Sequence, residues 1–158
     1  RAVSECWPKA AQQRCTRHKL ENLLAHAPKH CHGELKREYR GIVDADSEAT
    51  ARTRYQAFLK KWTALAPEVA RSLEEAGERL LSFFRFPRCQ WKSLRTTNQL
   101  ERLNGEFRRR TKTQGSFRSE TSALVLLWGL LAFGQIRLRK IDGFEAMGRA
   151  IRSLQSAA

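Results

Sequence analysis

The chain has no run of about eighteen apolar residues, so no membrane span is expected; its longest apolar patch, 123–133, is shorter and interrupted by Gly129. It opens Arg1-Ala2-Val3, with neither a methionine nor the apolar stretch of a secretory leader, so no signal peptide is expected. The missing methionine also hints that the chain is a piece of something longer. With 4 Pro and 9 Gly in 158 residues it is too poor in breakers for a low-complexity or disordered segment. Four cysteines, Cys6, Cys15, Cys31 and Cys89, are too sparse for a disulfide scaffold and fit a reducing, cytoplasmic setting. Acid is scarce as well. Sixteen Asp+Glu stand against 30 Lys+Arg, a formal net charge of +14. So basic a domain meets a polyanion, and nucleic acid fits better than an anionic membrane because no basic amphipathic helix stands alone at a terminus.

What is present is a helical pattern of about one domain's length. The 41% hydrophobic residues suffice for a core. Residues 1–7 could be the tail of a helix stopped near Pro8, and 12–16 is the one weak strand candidate. Leu20, Leu23 and Leu24 mark a helix from about His18 to Ala27, and Leu35, Tyr39, Ile42 and Val43 mark another over 33–43. Ser47 is a candidate N-cap for a third helix reaching about Leu65, with Tyr55, Phe58, Leu59 and Trp62 inward. Pro67 begins a fourth that carries Val69, Leu73, Ala76, Leu80, Leu81 and Phe84. These four form a compact bundle with short connections. After a break at 86–91, a helix runs from Thr96 or Thr97 to about Thr113, with Thr96 and Gln99 as a capping box. Residues 123–133 are apolar nearly all round, which predicts a centrally buried helix. A short last helix follows Asp142-Gly143, with Phe144, Met147 and Ile151. Trp7, Trp62 and Trp128 read as core; Trp91, in a loop, reads equally as core or as a base-stacking surface.

The helix after Thr97 carries the chemistry. Leu100, Leu103 and Phe107 share one stripe at 100° per residue. Glu101 lies off that stripe, on the side of Asn98, Gly105, Arg108 and Lys112. Glu106 falls about 140° from Glu101, so the two cannot serve one metal, and Glu106 reads as a surface partner for arginines. An acid with guanidinium groups beyond it suits a phosphodiester: the acid can hold a divalent cation and the arginines can hold the polyanion. The bland alternative is an acid that favours the helix dipole on a solvated basic face. Cys15, His18, His26, His30, Cys31 and His32 invite a zinc reading, but the contiguous 30–32 triplet lacks the spacing of a second ligand pair. The other reading buries Cys15 at a strand end and places His18 at a helix start.

The letters themselves resemble a family. Trp91-Lys92-Ser93-Leu94-Arg95-Thr96-Thr97-Asn98-Gln99-Leu100-Glu101-Arg102-Leu103-Asn104, followed by Arg108-Arg109-Arg110-Thr111-Lys112 and Gly115-Ser116-Phe117, resembles the hallmark of Mutator-type bacterial insertion-sequence transposases. Trp7-Pro8-Lys9-Ala10 with Gln13-Arg14-Cys15-Thr16-Arg17-His18-Lys19 resembles a Cys-x-x-His block of that family, and Lys140-Ile141-Asp142-Gly143 its closing segment. Leu138 stands where the family pattern has a tryptophan.

The resemblance implies a mainly α chain: the C-terminal part of a ribonuclease-H-like core with an Asp, Asp, Glu triad, at most one short strand at 12–16, and an all-helical insertion. Residues 1–27 would close the first core part, 28–90 form the insertion, and 91–158 supply the core helices with the Glu motif. Glu101 would be the catalytic acid and a metal ligand. Asn98, Asn104, Cys15 and His18 would support the site. Lys92, Arg95, Arg102, Arg108, Arg109, Arg110 and Lys112 would hold DNA phosphates. The two aspartates lie upstream of the Cys-x-x-His block in the family and are absent here; Asp44 and Asp46 fall in the insertion and do not replace them. The implied cofactor is Mg²⁺, two ions in the full enzyme, and the implied partners are transposon-end and target DNA and further copies of the transposase. A non-catalytic basic nucleic-acid-binding protein, or an inactive remnant of a transposable element, is the alternative.

Overall fold

Helical spacing of leucine and aromatic residues governs most of the chain. The computed structural model describes residues 5–138, 140–148 and 152. Among them seven α-helices have both ends described, 3-10 turns lie between the first and second, between the fourth and fifth, and after the seventh, and there is no strand. The α-helices are α1 (Thr16–His26), α2 (His32–Val43), α3 (Glu48–Leu65), α4 (Pro67–Ala76), α5 (Trp91–Leu94), α6 (Asn98–Thr111) and α7 (Glu120–Ala132). The first four pack as the expected bundle. Leu23 of α1, Leu35, Tyr39 and Ile42 of α2, Phe58 and Trp62 of α3, and Val69 and Leu73 of α4 fill its core.

Local chemistry sets the ends of these helices. Ser47 caps α3, its Oγ accepting the Thr50 N–H at 3.2 Å. Pro67 opens α4, where its missing N–H leaves no bond unmade. Gly77, at φ +50°, ends α4 eight residues before the expected limit. The chain continues as 3-10 turns, which still deliver Leu80, Leu81 and Phe83 to the interior.

Two polar side chains go deep. The Lys19 side chain is only 1% exposed; its ammonium donates to the Ser72 carbonyl at 2.8 Å and meets Glu75 Oε2 at 3.3 Å. That hydrogen bond, then the charges of Lys19 and Arg14, hold the Glu75 carboxyl below the usual carboxylate range. The Tyr39 hydroxyl donates to the Thr16 carbonyl at 2.9 Å, and burial pushes its phenol far above the ordinary value.

Three expectations are corrected. Residues 12–16 form no strand. A strand needs an extended neighbour, whereas this segment meets 3-10 turns and the end of α5. Arg14 N–H donates to the Arg79 carbonyl at 2.8 Å, and the Gln13 side-chain amide exchanges bonds with Leu80 and Phe83. The α7 helix is not central. Its residues Ala123 and Leu127 share a groove with Phe107 of α6, while Leu124, Val125 and Trp128 are 58%, 62% and 66% exposed, because no other described element covers that side. Trp7 is likewise 66% exposed rather than core. Of the N-terminal helix tail, Glu5 and Cys6 are helical and residues 1–4 lie outside the described residues; Ile151, expected in the last helix, does as well. The segment after Gly143 begins as a 3-10 turn over Phe144–Ala146, and Met147, Gly148 and Arg152 are helical, as expected of the last helix.

Trp62 and Trp128 should therefore differ sharply on truncation. Trp62→Ala is expected to cost about 3–5 kcal/mol, as for a large buried aromatic. Trp128→Ala is expected to stay within about 0.5 kcal/mol, as for a surface change. Urea unfolding of the two variants measures both.

Candidate functional site

The loop between α5 and α6 is fixed by Arg95. Its carbonyl accepts both the N–H and the Oγ1–H of Thr16, each at 2.9 Å. Its guanidinium donates to the Val43 carbonyl at 2.9 Å and to Asp44 Oδ1 at 2.6 Å. One residue thus ties the start of α1 and the end of α2 to the start of α6. The consequence is that Cys15 and His18 lie against Thr97 and Glu101, some eighty positions later in the chain.

Glu101 is half-exposed. Its Oε1 accepts the Thr97 hydroxyl at 2.8 Å and stands 3.4 Å from His18 Nε2. No lysine or arginine pairs with it among the described residues. The Thr97 oxygen also lies 3.5 Å from Cys15 Sγ and 3.4 Å from His18 Nδ1. The hydroxyl's shortest contact is with Glu101, and the Cys15 sulfur is a second, longer acceptor for it. The capping-box expectation is corrected here. Thr97, not Thr96, is the N-cap of α6, and no side-chain cap bond forms because its hydroxyl serves Glu101. Burial works against ionisation of the Cys15 thiol, but hydrogen bonds from the His18 backbone, the Thr97 side chain, and the Thr97 and Arg17 backbones outweigh it, so the thiol titrates below its ordinary value.

The other predicted residues are distributed along and around α6. Asn98, its first residue, and Asn104 are both exposed, and Asn104 lines a groove with Phe107, Arg108 and Phe117. Arg102, Arg108, Lys112 and Lys92 are exposed, and none has a partner among the described residues. Arg109 pairs with Glu106 at 2.8 Å, and Arg110 pairs with Glu106 and the Gln135 carbonyl. Glu106 is thus the surface partner of arginines that its helix position predicts, and those hydrogen bonds hold its carboxyl below the usual range. Arg95 is engaged by Val43 and Asp44. Of the apolar stripe, Leu103 and Phe107 are partly covered and Leu100 is 61% exposed.

The donor set bears on metals. Among the described residues no group of three His, Cys, Asp or Glu is placed to hold a metal ion. The cluster at Glu101 offers a hard divalent cation one carboxylate beside a soft thiol and an imidazole, so it does not by itself fit a pair of Mg²⁺ ions. The zinc reading finds no support either: His32 Nε2 lies 3.0 Å from the Ala27 carbonyl, a contact made within its own turn.

Sequence reasoning missed one junction. Gln90 Nε2 donates to the Gly143 carbonyl at 3.1 Å, and Ser93 Oγ lies 3.2 Å from both Asp142 Oδ2 and the Asp142 N–H. The segment around Asp142-Gly143 therefore docks just ahead of α6. The Asp-Gly pair was the available signal, read as a helix start and as part of a closing segment but not as a docking point. Gly143 is at φ +69°, and a Cβ there would come within 2.5 Å of Cys89 Sγ and 2.9 Å of Gln90 Cγ. Gly143→Ala is expected to cost about 1–3 kcal/mol from backbone strain and crowding, read by urea unfolding.

Residues 1–134 match the Mutator family of transposases. The chain is 40% identical over 129 residues to the transposase for insertion sequence element ISRM5 of Rhizobium meliloti, covering 82% of this chain and 32% of that protein. It is 34% identical over 158 residues to the transposase for insertion sequence element IS1081 of Mycobacterium tuberculosis, covering 98% of this chain and 38% of that one. The transposase for IST2 of Acidithiobacillus ferrooxidans is 32% identical over 130 residues, covering 82% and 44%. The chain thus spans a third to under half the length of these relatives. By this match over most of its length, the chain belongs to the Mutator family of transposases.

Proposed function

We propose that this chain is the glutamate-bearing part of an enzyme of DNA transposition, which cleaves and joins DNA strands by metal-dependent phosphoryl transfer. The observation that carries the reading is the state of Glu101. In a chain of net charge +14 its carboxylate is half-exposed, pairs with no lysine or arginine among the described residues, and faces the Thr97 hydroxyl and the His18 ring. An acid serving only surface electrostatics would sit as Glu106 does, between two guanidinium groups.

On this reading Glu101 is one of three acids that hold Mg²⁺ in a ribonuclease-H-like core, the two aspartates being supplied by sequence outside this chain. Mg²⁺ held there by Glu101 and those aspartates would supply Lewis-acid chemistry for phosphoryl transfer. This chain's residues do the rest of what is assigned here. Thr97 and His18 hold the Glu101 carboxylate in one orientation. Asn98 and Asn104 orient neighbouring groups on the same helix. Arg102, Arg108 and Lys112, with Lys92, contact DNA phosphates independently of sequence, and the α6 arginines bound to Glu106 stiffen that surface.

Two outcomes follow. The 158-residue chain with Mg²⁺ and supercoiled plasmid is expected to give no nicking above background, because one carboxylate cannot hold two ions; nicking that requires both Mg²⁺ and Glu101 would refute this. In a longer transposase carrying this segment, Glu101→Gln is expected to reduce transposition to background and leave DNA affinity within about twofold, since the change removes a ligand and not a phosphate contact. Parallel loss of both in an excision assay and a gel-shift assay would count against the metal role.

A further inference from the structure

One cleft lies outside the Glu101 cluster. Arg102, Leu103, Glu106 and Arg110 of α6 form one wall, and residues 134–138, which leave α7, form the other; together they enclose about 400 Å³. The helix repeat explains the first wall, because positions 102, 106 and 110 recur every four residues along one side of α6 and span about 12 Å. Gly134, at φ +68°, turns the chain after α7. Ile136 then anchors the second wall: its side chain is buried, and its N–H donates to the Leu130 carbonyl at 2.9 Å. Arg137, next in the chain, lines the cleft.

The charges in this cleft are organised. Arg110 joins the walls by donating to the Gln135 carbonyl, and its other bond, to Glu106, leaves it fixed. Glu106 is the one acid of the lining, and Arg109 and Arg110 neutralise it. Arg102 and Arg137 remain exposed, with no acid or hydrogen-bond acceptor among the described residues. Three guanidinium groups against one carboxylate leave the lining with a net charge of +2. Two free guanidinium groups on opposite walls suit a ligand that presents oxygen anions in series.

We propose that this cleft seats the sugar-phosphate backbone of duplex DNA, with Arg102 and Arg137 as its phosphate contacts and Arg110 as the brace between the walls. The proposal rests on the transposase reading above and adds Arg137 and the cleft to it. A DNA strand carries a phosphate every 3.4 Å of helix axis, so a cleft about 12 Å long takes more than one. Arg102 adjoins Glu101 in the chain, about 100° around the helix, which places the bound backbone next to the acid.

The test is fluorescence anisotropy of the 158-residue chain with a labelled duplex of about twenty base pairs across a salt series, with circular dichroism confirming unchanged helix content. Each lost phosphate contact flattens the plot of log affinity against log salt by about 0.9. Arg137→Gln and Arg102→Gln are each expected to flatten it by that amount and to weaken binding several-fold at low salt. Lys36→Gln, which removes an exposed lone charge on α2, is expected to change the slope much less. If the parent chain binds with a steep salt dependence but Arg137→Gln and Arg102→Gln behave like Lys36→Gln, the cleft assignment is overturned and the DNA reading stands. If the parent chain shows no salt-dependent binding, both fail together.

Discussion

The hydrogen bonds made by Arg95 are the constraint on which the site depends. A loop between two helices has little reason to hold one conformation when its backbone groups are free to bond water. Here the loop's carbonyl takes two donors from Thr16, and its guanidinium closes on the end of α2. Thr16 is in turn held by the Tyr39 hydroxyl, buried in the bundle core. The packed bundle therefore sets where α6 begins. The core of α1–α4 acts as a rigid base, and Glu101 is oriented by groups that answer to that base.

Charge is sorted on this frame. Acids near the bundle are mostly committed: Glu75 to buried Lys19, Glu34 to Lys61, Glu78 to Arg52. Glu106 is committed to two arginines of its own helix. Glu101 instead accepts a hydroxyl and lies beside an imidazole, with no lysine or arginine on it among the described residues. The cations of α6 are divided in the same way. Those facing Glu106 are spent on structure, and Arg102, Arg108 and Lys112 remain open to a polyanion. The helix repeat accounts for part of this division: 109 and 110 follow 106 by three and four residues and pair with it, 108 and 112 lack that spacing, and Arg102, four residues before Glu106, has the less favourable order and stays unpaired.

Much of the bundle was legible because its signals are local. Leu35, Tyr39 and Ile42, the Ser47 cap and the Pro67 start each depend on a few neighbouring residues, and each lies where the spacing puts it. The break at Gly77 was also local, but the apolar repeat through Leu80 and Leu81 masked it, since 3-10 turns can deliver the same residues inward. The α7 helix shows what a pattern cannot say. Apolarity on every side predicts burial only if some surface lies over every side, and in this chain α6 covers one part. Residues 12–16 are a weak strand candidate, and no strand lies beside them among the described residues. At the site, the motif marked Glu101, Cys15 and His18 separately. Their meeting through Thr97, and the structural use of Arg95, depend on contacts across some eighty residues that no local pattern encodes.

The contact between His18 and Glu101 tests this account most directly. Side-chain NMR of the four histidines in the parent chain and in the Glu101→Gln variant reads it without reference to activity. The His18 ring resonances are expected to move while those of His26, His30 and His32 stay in place, because His18 alone of the four lies beside the Glu101 carboxylate, at 3.4 Å. Unchanged His18 resonances in a variant that keeps its fold would contradict the placement of Glu101 against the Cys15–His18 block.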